Sequence, residues 1–137
     1  SRRERCLQMI QYSDSAANLT PDMLQGFFVG WRKPHTPDVH LQILQRSQFV
    51  ELALDPETNR VVGFCSAISD GIQAAFISVL EVLPEYQGQG IGSELMRRML
   101  KRLEHIPAVD LMCSPEVQAF YKRLGMSPSV GMVVRNY

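Results

Sequence analysis

The sequence of 137 residues has few cysteines, no long hydrophobic run and no excess of charge of either sign. Cys6, Cys65 and Cys113 are odd in number and far apart, and none forms a CxxC pair with histidines nearby. That pattern argues against structural zinc or a disulfide framework, and the expectation is a reducing, intracellular, cytoplasmic setting. No apolar stretch approaches the roughly 20 residues that a bilayer-spanning helix needs, and Ser1-Arg2-Arg3-Glu4-Arg5 leads into no signal-like apolar core. Membrane insertion and secretion are therefore disfavoured. Lys plus Arg and Asp plus Glu number 14 each, so the long-range positive field that nucleic-acid binding draws on is missing. His35, His40 and His105 share no metal-ligand spacing; they read as surface or loop histidines, and no metal is expected. Repeats and low-complexity tracts are absent as well.

Hydrophobic residues make up 45% and charged residues 20%, the balance of an ordinary folded protein, and the length suits one domain over residues 1–137. Leu7 to Gln11 suggests a short first strand. Thr20-Pro21 has the form of a helix start, with a helix carrying Met23, Leu24, Phe27 and Phe28 before Gly30, and a second helix follows from about Asp38 to Arg46. Phe49 to Leu54 and Val61 to Ser69 flank the turn Asp55-Pro56-Glu57-Thr58-Asn59 and read as a hairpin. Ala74 to Leu83 is almost unbrokenly apolar, the pattern of a central strand covered on both faces, and Glu81 is its one charge. From Ile91, apolar residues at Leu95, Met96, Met99, Leu100, Leu103 and Ile106 trace one helical face. Val109 to Cys113 is then a strand, Pro115 to Leu124 a helix closed by Gly125, and Met132 to Tyr137 a last strand. The fold class is α/β with a mixed sheet, in the order β-α-α-β-β-β-α-β-α-β.

The most informative stretch is Val82-Leu83-Pro84-Glu85-Tyr86-Gln87-Gly88-Gln89-Gly90-Ile91-Gly92-Ser93, between the apolar strand and the long helix. A strand entering a glycine-rich turn and then a helix start points several backbone N–H groups one way, with the positive end of the helix dipole behind them. Such a turn suits an anion, best a pyrophosphate. A Walker loop would need Lys followed by Ser or Thr after its last glycine, and here Ser93-Glu94 follows Gly92. A dinucleotide fingerprint would need glycine at Ser93 and would close the first strand of its domain. Asp110 lies at the distance of its ribose-binding acid but begins a strand, and some 80 residues precede the turn.

Gln87-Gly88-Gln89-Gly90-Ile91-Gly92, approached by Val82-Leu83-Pro84-Glu85-Tyr86, resembles the Gln/Arg-x-x-Gly-x-Gly/Ala signature of the GCN5-related N-acetyltransferases. Phe120-Tyr121-Lys122-Arg123-Leu124-Gly125-Met126 resembles the end of that family's last helix, with Met126 at an aromatic position. The element order also fits, so the likeness spans nearly the whole chain. It implies a sheet whose fourth strand, about Ala74 to Leu83, runs parallel to the fifth and splays from it. The pantetheine arm of acetyl-CoA would lie in that gap against backbone groups of Leu80 and Val82. The pyrophosphate would meet Gln87, Gly88, Gln89, Gly90, Ile91, Gly92 and Ser93, with side chains at Gly90 or Gly92 standing where phosphates must come. Ser114 holds the place of an asparagine that contacts the cofactor in many members.

The same resemblance implies acetyl transfer from acetyl-CoA to a primary amine of a small molecule or peptide, by direct attack in a ternary complex and without metal. A homodimer is compatible with it, and a membrane or nucleic-acid partner is not expected. Tyr121 is the candidate acid for the departing thiolate, because a phenol near pKa 10 can protonate a thiolate near 8.5 at modest cost. Glu81 is the candidate base, since an unpaired charge in an apolar strand beside the cofactor would be costly without a task; Asp110 is a weaker one. Phe27, Phe28 and Trp31 fall where the family builds part of its acceptor pocket, although an amphipathic helix packed on a sheet would show them too. Cys113 sits near the expected cleft, where an inert buried cysteine is commoner than a nucleophile. The reading from another class is a non-catalytic acyl-CoA sensor or interaction module of the same fold.

Overall fold

In a computed structural model that describes residues 10–137, the β-branched and aromatic residues around the Asp55–Asn59 turn form the hairpin β2 (Phe49–Asp55) and β3 (Arg60–Ser69). β1 (Gln11–Ser13) pairs with the outer edge of β2, β4 (Ala74–Val82) pairs antiparallel with β3, and β5 (Ala108–Asp110) pairs parallel with β4. The sheet order is therefore β1-β2-β3-β4-β5. The expected first strand, Leu7 to Gln11, lies mostly outside the described residues, and β1 begins where it would end.

β3 is the buried centre, and two successive residues on it show why both faces need helices. Phe64 meets His40 of α1 (Pro37–Arg46) on one face, with ring centroids 4.4 Å apart. Gly63, on the opposite face by strand alternation, lies under α2 (Ile91–Arg102); a Cβ there would come within 3.0 Å of Leu95 Cδ1 and 3.2 Å of Ile91 Cγ2. Ile91, Leu95, Met96 and Met99 are the apolar stripe that α2 buries, each worth about 1.5–3 kcal/mol. At its far end Arg102 donates to Glu51 Oε2 at 2.9 Å and to Val50 O at 2.8 Å. Burial pushes the Glu51 carboxyl up, and Arg102 opposes that shift.

Several expectations are corrected. Residues 21–28 are not a helix but a 3-10 turn (Pro21–Leu24) followed by turns. Thr20 makes no side-chain capping bond, and positive φ at Gly26, Phe28 and Gly30 is incompatible with helical winding. Thr36 supplies the working cap instead, accepting from Val39 N at 3.3 Å. The last helix, α3, is only Gln118–Arg123, preceded by a 3-10 turn at Pro115–Val117. β4 is not covered on both faces: Phe76 is 41% exposed, and the residues from Ser78 on are half-buried. Met132 to Tyr137 does not form the last strand. Strand propensity acts only where a neighbouring strand receives the backbone groups, and here the segment stands away from the sheet with Met132 99% exposed.

Candidate functional site

Pairing of β4 with β5 runs through Ala74↔Ala108, Ala75↔Val109 and Phe76↔Asp110 and then stops. Just beyond, pairing with β3 jumps from Ala67↔Ile77 to Ser66↔Val79, leaving Ser78 as a bulge. Its hydroxyl lies 3.3 Å from Ser66 O and 3.0 Å from Ser66 Oγ. A bulge bends the strand that carries it, so β4 leaves β5 there and runs on to Val82, about 13 Å further, without a strand neighbour on that side among the described residues. Leu83 donates its N–H to Val62 O of β3 at 2.8 Å. By alternation, the backbone groups of Val82 and Leu80 point the other way, into the gap. Gln87 Nε2 already donates to Val82 O at 2.9 Å. The gap opens a cleft of about 400 Å³ bordered by Ile77 to Glu81, Gln87, Leu111, Met112, Tyr121, Val29 and Trp31.

The glycine turn sits at the far end of β4. A 3-10 turn, Pro84–Tyr86, carries the chain out of the strand, and Tyr86 donates its hydroxyl to Asp55 Oδ2 at 2.7 Å, with both residues buried. Asp55 Oδ1 also accepts from Glu57 N at 2.9 Å, so the turn is tied to the end of the hairpin. Gly90 is the N-cap of α2 with φ 85 and no side-chain cap. The first amide bonded within the helix is that of Glu94, to Gly90 O at 3.1 Å, which leaves the first-turn N–H groups of Ile91, Gly92 and Ser93 directed outward. A Cβ at Gly90 would meet nothing within 4 Å, and one at Gly92 would lie 3.7 Å from Val82 Cγ2 and 3.9 Å from Phe120 Cζ. Nothing inside the fold requires glycine at 92. Gln89 Oε1 is buried without a partner among the described residues.

Tyr121, on α3, is half-buried and borders the cleft. Burial, with smaller contributions from Cys113 and Cys65, raises its phenol above the ordinary value of 10, so it holds its proton at neutral pH. Glu81 borders the same cleft, and its charge is met by backbone: Phe28 N–H donates to both carboxylate oxygens at 2.9 Å, and Val29 N–H donates to Oε2 at 3.2 Å. That grip holds Phe28 at φ 65. Sequence reasoning missed this role, as it missed the Asp55 anchor and the Ser78 bulge; only Tyr86 carried a signal, inside its motif.

Phe27 and Phe28 are buried in the core against Phe64 and His40, and of the three aromatics only Trp31 borders the cleft. Asp110 is exposed on the outer side of β5 and Ser114 is exposed before α3; neither lines the cleft with Glu81. Cys113 is exposed rather than buried. His35 and His105 are exposed, but His40 overturns the surface reading: it is fully buried, both ring nitrogens lack a partner among the described residues, and burial, with help from His35, lowers its pKa to about 4. Among the described residues no three His, Cys, Asp or Glu side chains gather to hold a metal ion, and no helix is long and apolar enough to cross a membrane.

Comparison with known proteins agrees with this geometry. The profile of the Acetyltransferase (GNAT) family matches residues 17–126. The chain is 36% identical over 102 residues to the uncharacterized N-acetyltransferase ycf52 of Gracilaria tenuistipitata, covering 71% of this chain and 55% of that one. It spans little more than half the length of such curated relatives. Among solved structures, one from Deinococcus radiodurans R1 shares 43% identity with a TM-score of 0.91 over 95% of this chain and 90% of that chain. A GNAT family acetyltransferase from Streptococcus pneumoniae shares 31% identity with a TM-score of 0.76 over 93% and 98%. With its profile, its relatives and its parted strands in agreement, the chain belongs to the acetyltransferase (GNAT) family.

Proposed function

We propose that residues 1–137 act as one N-acetyltransferase domain that moves an acetyl group from acetyl-CoA to a primary amine of a small molecule or peptide, by direct attack in a ternary complex. One observation carries this reading: the sheet opens after Phe76↔Asp110 beside the uncapped start of α2. The residues there fit the cosubstrate. Outward N–H groups at Ile91, Gly92 and Ser93, with the glycine turn from Gly88 before them, suit a pyrophosphate. The gap-facing backbone of Leu80 and Val82 suits an amide-bearing arm added like a strand. Because Gln87 holds the Val82 carbonyl, the groups left for that arm are the Val82 N–H and the Leu80 pair. The bound thioester supplies the acetyl group and the leaving thiolate.

The chain's own part is to place and move protons. Tyr121 keeps a proton on Oη for the departing sulfur, and its raised pKa preserves that form as pH climbs through and beyond neutrality. Glu81, fixed by Phe28 and Val29, offers its remaining lone pairs to the ammonium that must lose a proton before attack. Trp31 and Val29 then stand on the acceptor side, carried by the loop that Glu81 holds. A cytoplasmic setting belongs to the same proposal and rests on the scattered cysteines alone.

The test is thiol release from acetyl-CoA with a panel of amines, comparing the native chain with Tyr121→Phe. Tyr121→Phe should lower turnover by about 10²–10⁴ while coenzyme A still raises the melting temperature. A chain that binds coenzyme A yet releases no thiol with any amine is the sensor of the alternative reading, and one that binds none refutes the assignment.

A further inference from the structure

The loop from Gln25 to Trp31 carries two residues of the acceptor side, Val29 and Trp31, and has no regular structure of its own. With φ of 91 at Gly26, 65 at Phe28 and 82 at Gly30, its backbone turns left-handed at every second residue, which no helix or strand ladder accommodates. Trp31 donates its N–H to Phe28 O at 3.2 Å, and two ties then join the loop backbone to the sheet. One is the grip of the Phe28 and Val29 N–H groups on Glu81 of β4. The other is Gln25 O, which accepts from Arg60 Nη2 of β3 at 3.1 Å.

Arg60 opens β3 and pairs across the hairpin with Asp55. The two hold different segments: Asp55 takes the Tyr86 hydroxyl of the turn before Gly88, and Arg60 takes the loop before Phe28. Arg60 Nη1 also lies 3.6 Å from Glu85 Oε1, a long, solvent-facing pair that carries little by itself. Arg60 Nε is buried without a partner among the described residues, and an unpaired buried donor costs stability. The residue is therefore better explained by what its outer nitrogens reach. A Cβ at Gly26 would lie 3.5 Å from Arg60 Nη2 and 3.4 Å from Leu83 Cδ2, so the loop rests against the guanidinium and against the residue that follows β4.

We propose that Arg60 is a positioning residue for acetyl transfer: its bond to Gln25 O sets the loop, the loop's N–H groups set the direction of the Glu81 carboxylate, and Trp31 is placed on the acceptor side by the same hold. Arg60 does not border the cleft, so it acts only through these groups. The Glu81 side chain is flexible, and donors that drift lose the distance and angle a hydrogen bond needs. A displacement of about 1 Å at a group that handles the reacting amine is enough to cost up to about 10² in rate. The inference rests on the proposed function for the task of Glu81, but not for the hold of Arg60 on the loop.

Trp31 is the sole tryptophan of the chain and reports the loop directly. Arg60→Met, which keeps an aliphatic stem and removes the donors, should still melt cooperatively, shift the Trp31 emission to the red and raise its quenching by acrylamide. It should lower kcat/KM for the amine about tenfold and leave coenzyme A affinity within about twofold of native. Arg60→Lys, which keeps the charge and one donor group, should move the same readouts less, so the hold can be read even where the methionine variant fails to fold. Glu85→Gln, which loses only the ion pair, should match the native chain. Because Arg60 acts through Glu81, Arg60→Met in a Glu81→Gln background should cost little further, whereas independent structural losses would multiply. Unchanged Trp31 quenching in folded Arg60 variants, losses that multiply, or a Glu85→Gln chain that behaves as Arg60→Met overturns the proposal. If the native chain releases thiol with no amine, the proposed function falls, and Trp31 quenching still decides whether Arg60 holds the loop.

Discussion

Gly92→Ala separates what the fold needs from what the cosubstrate needs. Gly92 is the second residue of α2, so alanine there gains helix propensity of up to about 1 kcal/mol. The new Cβ would make ordinary contacts, 3.7 Å from Val82 and 3.9 Å from Phe120, with no internal clash to offset that gain. The unliganded variant should therefore melt as high as the native chain or up to about 4 °C higher. The same methyl group stands between the end of β4 and α3, at the start of the helix whose amides the proposed function turns toward the pyrophosphate. Coenzyme A should bind at least tenfold more weakly, a loss of about 1.4 kcal/mol, and the ligand-induced melting shift should shrink accordingly. Gly90→Ala is the control with the opposite signature, because its φ of 85 imposes about 1–2 kcal/mol of strain on any side chain, and stability falls with or without ligand. Differential scanning fluorimetry across a coenzyme A titration reads both. Native affinity in a stable Gly92→Ala chain would refute the placement of the diphosphate at this helix start.

Three further outcomes follow from contacts already described. Tyr86→Phe leaves the buried Asp55 carboxylate one donor short and should cost about 1–3 kcal/mol in urea unfolding; a smaller effect would mean that the turn is not anchored there. Glu81→Gln should lower kcat by about 10² or more and raise KM for the amine as the Phe28–Val29 loop loosens, whereas an unchanged kcat at saturating amine would reduce Glu81 to an anchor. The folded pKa of His40, about 4, lies below the ordinary histidine value of 6.5, so between those limits the unfolded chain binds more protons and stability rises with pH. That contribution, at most about 3 kcal/mol, is lost as pH falls from 6.5 toward 4, and His40→Leu should flatten the dependence in unfolding curves collected across that window.

What was legible in the sequence was whatever a local rule could carry. The α2 stripe is visible because Ile91, Leu95, Met96 and Met99 share one face, and the turn before it because glycines cluster where a strand meets a helix. The Phe28 region misled for a physical reason. Phe27 and Phe28 have helical spacing, but the backbone there is held open by Glu81, a residue 53 positions away, and no local pattern encodes a bond of that span. His40 misled in the same way: a lone histidine on a helix looks solvated until Phe27, Phe28 and Phe64 close around it. Met132 to Tyr137 has the composition of a strand, but composition supplies only half of a ladder, and the other half must come from an edge. In one chain the edge at β5 and the segment at 130–137 remain apart.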